Sequence, residues 1–231
     1  MNNPFLKRRR KEAIKVLIAQ IVILVLFVGL WELLSSLEII DAFLFSKPSR
    51  IVKLLETYIV TKTIYKHIGI SLLETMLGLV IGTLAGLLIA IILWWNKIIA
   101  KIMEPFLVVL NALPKTALAP IIIIWMGTGI KGITAVAVSI SLVLTIISAY
   151  NYFIQVEEEK IKMLQSFNAT KLQILFKLVI PANLANIISL IKINIGMSWV
   201  GVIVGEFIVS RYGIGYLIMY GSQVFNMDLV M

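Results

Sequence analysis

Residues 156–181 read VEEEKIKMLQSFNATKLQILFKLVIP, a long cationic and amphipathic stretch set between strongly apolar runs. Its first half places Ile161, Leu164 and Phe167 at three-residue spacing, which puts them on one side of a helix, while Lys160, Lys162, Gln165 and Ser166 face elsewhere. Asn168 ends that helix, because Asn is second only to Gly at the left-handed position just past a helix terminus. Thr170 and Gln173 then form the S/T-x-x-E/Q pattern of a capping box, which starts another helix. Pro181 stands where a further helix opens, since its fixed φ and missing N–H suit a first turn. The stretch therefore predicts a helix, a sharp turn and a second helix: an exposed elbow on a chain that is otherwise too apolar to face water, and hence a surface for a partner.

Outward from the elbow the chain is a membrane protein. Of its 231 residues 60% are hydrophobic, against about 45–50% in soluble domains, and the mean hydropathy is +1.01. At about 20 residues per crossing, spans consume most of the length, so residues 1–231 are read as one all-α, polytopic domain. Five spans are predicted: Val16–Leu34, Ile70–Trp95, Ile102–Trp125, Ile133–Phe153 and Pro181–Val209. The first follows a cluster of basic residues, Lys7 to Lys11, and is too long, without a small-residue cleavage site, to be a signal peptide. Residues 35–68 form a loop with an interfacial helix or a plain connector. The second span carries Gly78, Gly82 and Gly86 on one face, which admits a second backbone at close range. The third is broken, because Pro114 and Pro120 each remove a helix hydrogen bond.

The net charge of +9 does not point to nucleic acid, because the basic residues collect at the N-terminus and at the ends of apolar runs, where anionic headgroups account for them. With the elbow inside, 12 Lys and Arg fall on the cytoplasmic side and seven outside, so the N-terminus and the elbow are both assigned to the cytoplasm.

No phosphate-cradling Walker motif, nucleophile elbow or H-E-x-x-H occurs, and with no Cys and one His no metal or cofactor is expected on this chain. Glu157, Glu158 and Glu159 are consecutive, so they fan around a helix start instead of converging on an ion. Ionisable residues inside spans are costly and suggest function. Lys115, beside the proline break, either lines a substrate path or pairs with a released carbonyl or a carboxylate. Pro120 and Asn194 join it as path residues, and Glu206 is placed near the external surface to close an outer gate.

The segment Asn168 to Pro181, NATKLQILFKLVIP, resembles the EAA loop of ABC-importer permeases, with Asn168 at the Gly position, Leu178 at the Ile position, Ile180 at the Leu position and Pro181 at the Pro. Lys162, Met163 and Leu164 occupy the E-A-A positions, and Glu159 is the carboxylate nearby. SLLETMLGLVIGTLAGLLIA, PKTALAPIIIIWMGTG and GEFIVSRYGIGYLI are similar to the nitrate, sulfonate and taurine class of these permeases. Lys115 stands where that class usually has a second Pro, and the chain stops at DLVM, where the class continues into a last span; the expectation is that this span is missing.

The resemblance implies a cytoplasmic coupling helix seated on an ATPase subunit that holds ATP and Mg, so that this chain is not itself an enzyme. Glu159, Ile161, Lys162, Leu164, Gln165, Phe167, Asn168, Ala169, Thr170 and Pro181 would carry that contact. It further implies an external substrate-binding protein, a second permease copy, a prokaryotic plasma membrane, and a small anion as cargo, such as a sulfonate, taurine or nitrate. Members of the class that import thiamine precursors or riboflavin-like compounds keep that alternative open. An ion-coupled secondary transporter would need inverted repeats and paired acidic residues near mid-membrane, neither of which the sequence shows clearly. A scaffold subunit is the third reading.

Overall fold

The computed structural model describes residues 4–231; the side chains of Lys7, Arg8 and Arg10 in the N-terminal basic cluster lie outside the described residues. Every regular element among them is helical. In chain order these are α1 Pro4–Ser36, α2 Ala42–Phe45, α3 Pro48–Val60, α4 Thr63–Trp95 and α5 Lys97–Ala112. A 3₁₀ turn at Lys115–Leu118 leads to α6 Ala119–Met126, and α7 Ile130–Ile154 and α8 Glu158–Ser166 follow. Then come α9 Lys171–Ile174, a π-helical stretch at Leu175–Val179, α10 Ile180–Ala182, α11 Leu184–Val209, α12 Ile214–Gln223 and α13 Met227–Val230. Among the described residues four helices are long and apolar enough to cross a membrane, with a fifth crossing if the bent pair α5 and α6 counts as one span. The protein is thus an all-α polytopic membrane protein.

Contacts divide the chain into two compact units, one made of residues 1–64 and 220–231, the other of residues 65–219. In the first, α1 has no buried residue in its most apolar stretch. The buried Ser35 hydroxyl donates to the Ser46 carbonyl at 3.1 Å, and the Ser46 hydroxyl donates to Asp228 Oδ1 at 2.6 Å. Arg50 stands 3.7 Å from the other oxygen of Asp228, and the Phe43 and Phe225 rings stack at 6.5 Å.

In the second unit α7 is the central helix: 61% of its apolar window is buried, against 39% for α4 and 28% for α11. Small residues make this possible. A Cβ on Gly78 of α4 would lie 2.6 Å from the Ala137 side chain of α7, and one on Gly201 of α11 would lie 2.6 Å from the Ala137 backbone. Ala137 is therefore clasped between two glycines, and the predicted glycine face of α4 is the face that meets α7.

The broken span bends by 85°. The cause is Pro114. Its ring forces Leu113 out of the helical region, to φ −66° and ψ 136°, and α5 ends at Ala112. Pro120 does not break a helix; it sits in the first turn of α6, where a missing N–H costs nothing. The span also begins earlier than predicted, at Lys97, because the Asn96 side chain accepts from the N–H groups of Ile98 and Ile99 and caps α5. The loop read at 35–68 contains two helices, and α4 starts at Thr63, seven residues before the predicted boundary.

Candidate functional site

The elbow is built as its residues dictate. Asn168 adopts φ 57°, and the chain reverses there: the Asn168 N–H donates to the Gln165 carbonyl at 2.9 Å and the Ala169 N–H donates to the Leu164 carbonyl at 3.0 Å. These bonds satisfy carbonyls that the end of α8 would leave open. The second helix opens with a complete capping box. The Gln173 N–H donates to the Thr170 hydroxyl at 3.3 Å, and the Thr170 N–H donates to Gln173 Oε1 at 2.8 Å. Surface pairs Lys160–Glu157 at 2.9 Å and Lys162–Glu158 at 3.1 Å decorate α8 and add little stability, being largely exposed. Glu159 faces solvent, as do Lys162 and Gln165.

The three apolar residues of the first half part company. Ile161 and Leu164, with Ala169, pack against a core of Phe153, Ile174, Leu175, Val179 and Leu190, fixing the elbow's base to α7 and α11. Phe167 instead stays 75% exposed. The single-face expectation fails at this residue because Phe167 is the C-cap, at φ −87° and ψ 17°, so its side chain leaves the helical stripe. Met163 and Leu172 are exposed as well, so the elbow offers water an apolar tip on an anchored base. Pro181 does not start the fifth span. It lies in α10, joined through the π-helical stretch to α9, and α11 begins at Leu184.

The four intramembrane residues do not form one site. At the bend, Lys115 donates from Nζ to the Asn111 carbonyl at 3.1 Å. Pro120 lies on the exposed side of α6. Asn194 is fully buried in α11 and donates from Nδ2 to the hydroxyls of Thr83 at 2.9 Å and Thr145 at 2.8 Å, tying α4, α7 and α11 together. Its Oδ1 and the nearby Ser198 hydroxyl are buried without a partner. Glu206 lies twelve residues further along α11, about 18 Å at 1.5 Å per residue.

Glu206 is wholly enclosed by the protein and holds a loop in place. Its Oε1 accepts from the Ser71 hydroxyl at 2.6 Å, its Oε2 accepts from the Gly215 N–H at 2.7 Å, and the Ile214 N–H donates to the Ser71 oxygen at 2.9 Å. The Gly213 N–H donates to His67 Nδ1 at 3.0 Å, and the His67 ring stacks on Tyr216 at 5.9 Å. Gly213 has φ +108° and a Cβ there would collide with the Glu206 carboxyl, so no other residue fits. Glu74, 1% exposed, reaches Glu206 from α4 and keeps Oε2 without a partner. The structure thus pairs two acidic residues that lie 132 positions apart in the sequence. A local signal of the pairing is present: His67, Ser71 and Glu74 continue the Gly78, Gly82 and Gly86 face at spacings of three and four.

Apolar helices long enough to cross a membrane, packed around small residues with buried polar side chains between them, define a polytopic helical membrane protein. Residues 78–231 match the family described as the binding-protein-dependent transport system inner membrane component, and the chain belongs to that family. It is similar to the putative aliphatic sulfonates transport permease SsuC of Bacillus subtilis, with 27% identity over 85% of this chain and 71% of the relative. It is similar also to the formylaminopyrimidine transport permease ThiX of Halalkalibacterium halodurans, with 26% identity over 81% and 74%. A third relative is the taurine transport system permease TauC of Escherichia coli, with 22% identity over 90% and 78%. The chain is therefore a membrane-embedded ABC-importer permease of the nitrate, sulfonate and taurine class.

Proposed function

We propose that this permease forms the translocation path for a small organic or inorganic anion, with a sulfonate, taurine or nitrate as the cargo class, and that ATP hydrolysis on separate ATPase subunits drives it through the 156–181 elbow. In this reading the elbow and the N-terminus face the cytoplasm, an external binding protein delivers cargo, and a second permease copy completes the path. The carrying observation is the elbow itself: Ile161 and Leu164 fix its base in the core while Phe167 projects, 75% exposed, from a turn set by Asn168. A rigid base with an unsatisfied apolar tip is what a lever needs in order to transmit a push from a partner.

Two relatives are named for sulfonate or taurine transport, which supports the anion reading, and ThiX is named for formylaminopyrimidine, which supports a thiamine precursor as the second candidate. The test is uptake by cells expressing the chain with its partner subunits, using taurine, an alkanesulfonate, nitrate and formylaminopyrimidine as competing cargoes. Competition by the anions and not by the pyrimidine supports the first reading, and the reverse result supports the second. Inhibition by none of the four overturns both. Topology is tested with Ser166→Cys in this Cys-free chain; labelling by an impermeant thiol reagent in intact cells would place the elbow outside and refute the coupling role.

A further inference from the structure

A cavity of about 600 Å³ opens where the last turn of α4, the first turn of α5, the end of α7 and the elbow meet. Its floor is apolar, with Trp94, Ile154 and Ile161 offering accessible surface over the buried Leu93, Phe153 and Ile174, and its walls carry Lys97, Lys101, Lys162 and Lys171 against one carboxylate, Glu158. That carboxylate is already engaged, at 3.1 Å from Lys162. Lys171 donates to the Trp95 carbonyl, the last of α4, and lies over the rings of Trp94 at 5.8 Å and Trp95 at 5.3 Å. Lys97 and Lys101 are four residues apart on α5 and so share a face, and neither is in an ion pair among the described residues. The lining therefore carries a net charge of +3 around one concave volume, and the volume falls within the range of small-ligand sites.

The place of the cavity narrows the ligand. It lies at the ends of three apolar spans, where Trp94 and Trp95 mark the membrane–water boundary. Lysines act as point charges toward phosphate, and basic pockets between span ends receive anionic headgroups. We propose that this cavity binds a phosphate-ester anion, supplied by the headgroup of an acidic phospholipid in the adjoining leaflet, with the acyl stem lying along the apolar floor. This site is separate from the cargo path and does not depend on which cargo the permease carries.

The full chain, assembled with its ATPase subunits in phosphatidylcholine nanodiscs, is titrated with phosphatidylglycerol and, separately, with glycerol phosphate; bound lipid is counted by native mass spectrometry. Phosphatidylglycerol is expected to bind at least tenfold more tightly than added phosphatidylcholine. Lys97→Gln with Lys101→Gln should weaken it about fivefold per lysine, about twenty-five-fold together, and Lys97→Arg with Lys101→Arg should preserve it. Both lysines are exposed, so the variants keep the fold, which a melting curve checks. Displacement of the lipid by millimolar glycerol phosphate overturns the lipid source and leaves a soluble phosphate ester as the ligand; failure of glycerol phosphate to compete supports the lipid. Equal binding of the two phospholipids, or unchanged binding in the Gln variants, overturns the proposal. So does loss of the ATPase subunits from the Gln variants with lipid binding intact, which would make the lysines a protein contact.

Discussion

Replacing Phe167 by Ser and Asn168 by Val attacks the elbow by two separate physical routes. Phe167 is 75% exposed, so its removal leaves the chain's own core untouched, and surface changes of this kind stay within about 0.5 kcal/mol of stability. If a partner groove encloses the ring, three quarters of the roughly 1.5–3 kcal/mol of a buried Phe is recovered only on docking. The loss on substitution is then about 1–2 kcal/mol, or five- to thirtyfold in the docking constant. Asn168→Val acts on the backbone instead. Asn168 holds φ 57°, a conformation that costs an ordinary L-residue about 1–2 kcal/mol, and a β-branched side chain tolerates it least. Val there shifts the turn, whereas Asn168→Gly keeps it. The assay is retention of the ATPase subunit during purification of the complex, with cargo-stimulated ATP hydrolysis measured on the same preparations. Reduced retention and stimulation are expected for Phe167→Ser and Asn168→Val, and near-normal values for Asn168→Gly. Unchanged retention and unchanged stimulation in both damaging variants would show that the elbow is not the coupling element.

Lys115→Met should lower uptake while the complex still assembles, because the lysine caps the Asn111 carbonyl at the bend without entering a core cluster; normal uptake removes it from the path. Gly78→Leu should abolish the monodisperse detergent-extracted species, since even a Cβ would sit 2.6 Å from Ala137, whereas Gly196→Ala meets nothing within 4 Å and should gain about 0.5–1 kcal/mol in helix propensity. A stable Gly78→Leu protein would refute the α4–α7 clasp. Glu206→Gln keeps one acceptor oxygen but points an amide N–H₂ at a donor, costing about 1–3 kcal/mol, and should raise hydrogen exchange at residues 210–215; unchanged exchange there would mean that Glu206 does not hold the loop.

The parts of the fold that were legible are those written in local chemistry. The Asn168 turn, the Thr170–Gln173 box and the glycine face of α4 each rest on residues within a few positions of one another, and the structure forms all three. The break of the third span is also legible, although of the two prolines that suggest it only Pro114 causes it. What escaped depends on distance along the chain or on exact phase. Phe167 keeps the three-residue spacing but lies one step beyond the last helical residue, so the period no longer sets its direction. The stretch LFKLV at 175–179 carries no mark that separates a π-helical turn from an α-helical one. Glu206 meets Ser71 across 135 residues, and no local period reports such a pairing. Half of it was nevertheless in view, because His67, Ser71 and Glu74 set polar groups on the very face that Gly78, Gly82 and Gly86 mark as buried. A buried carboxyl on a packing face requires a partner on the opposing helix, and the buried face of α11 carries one, Glu206.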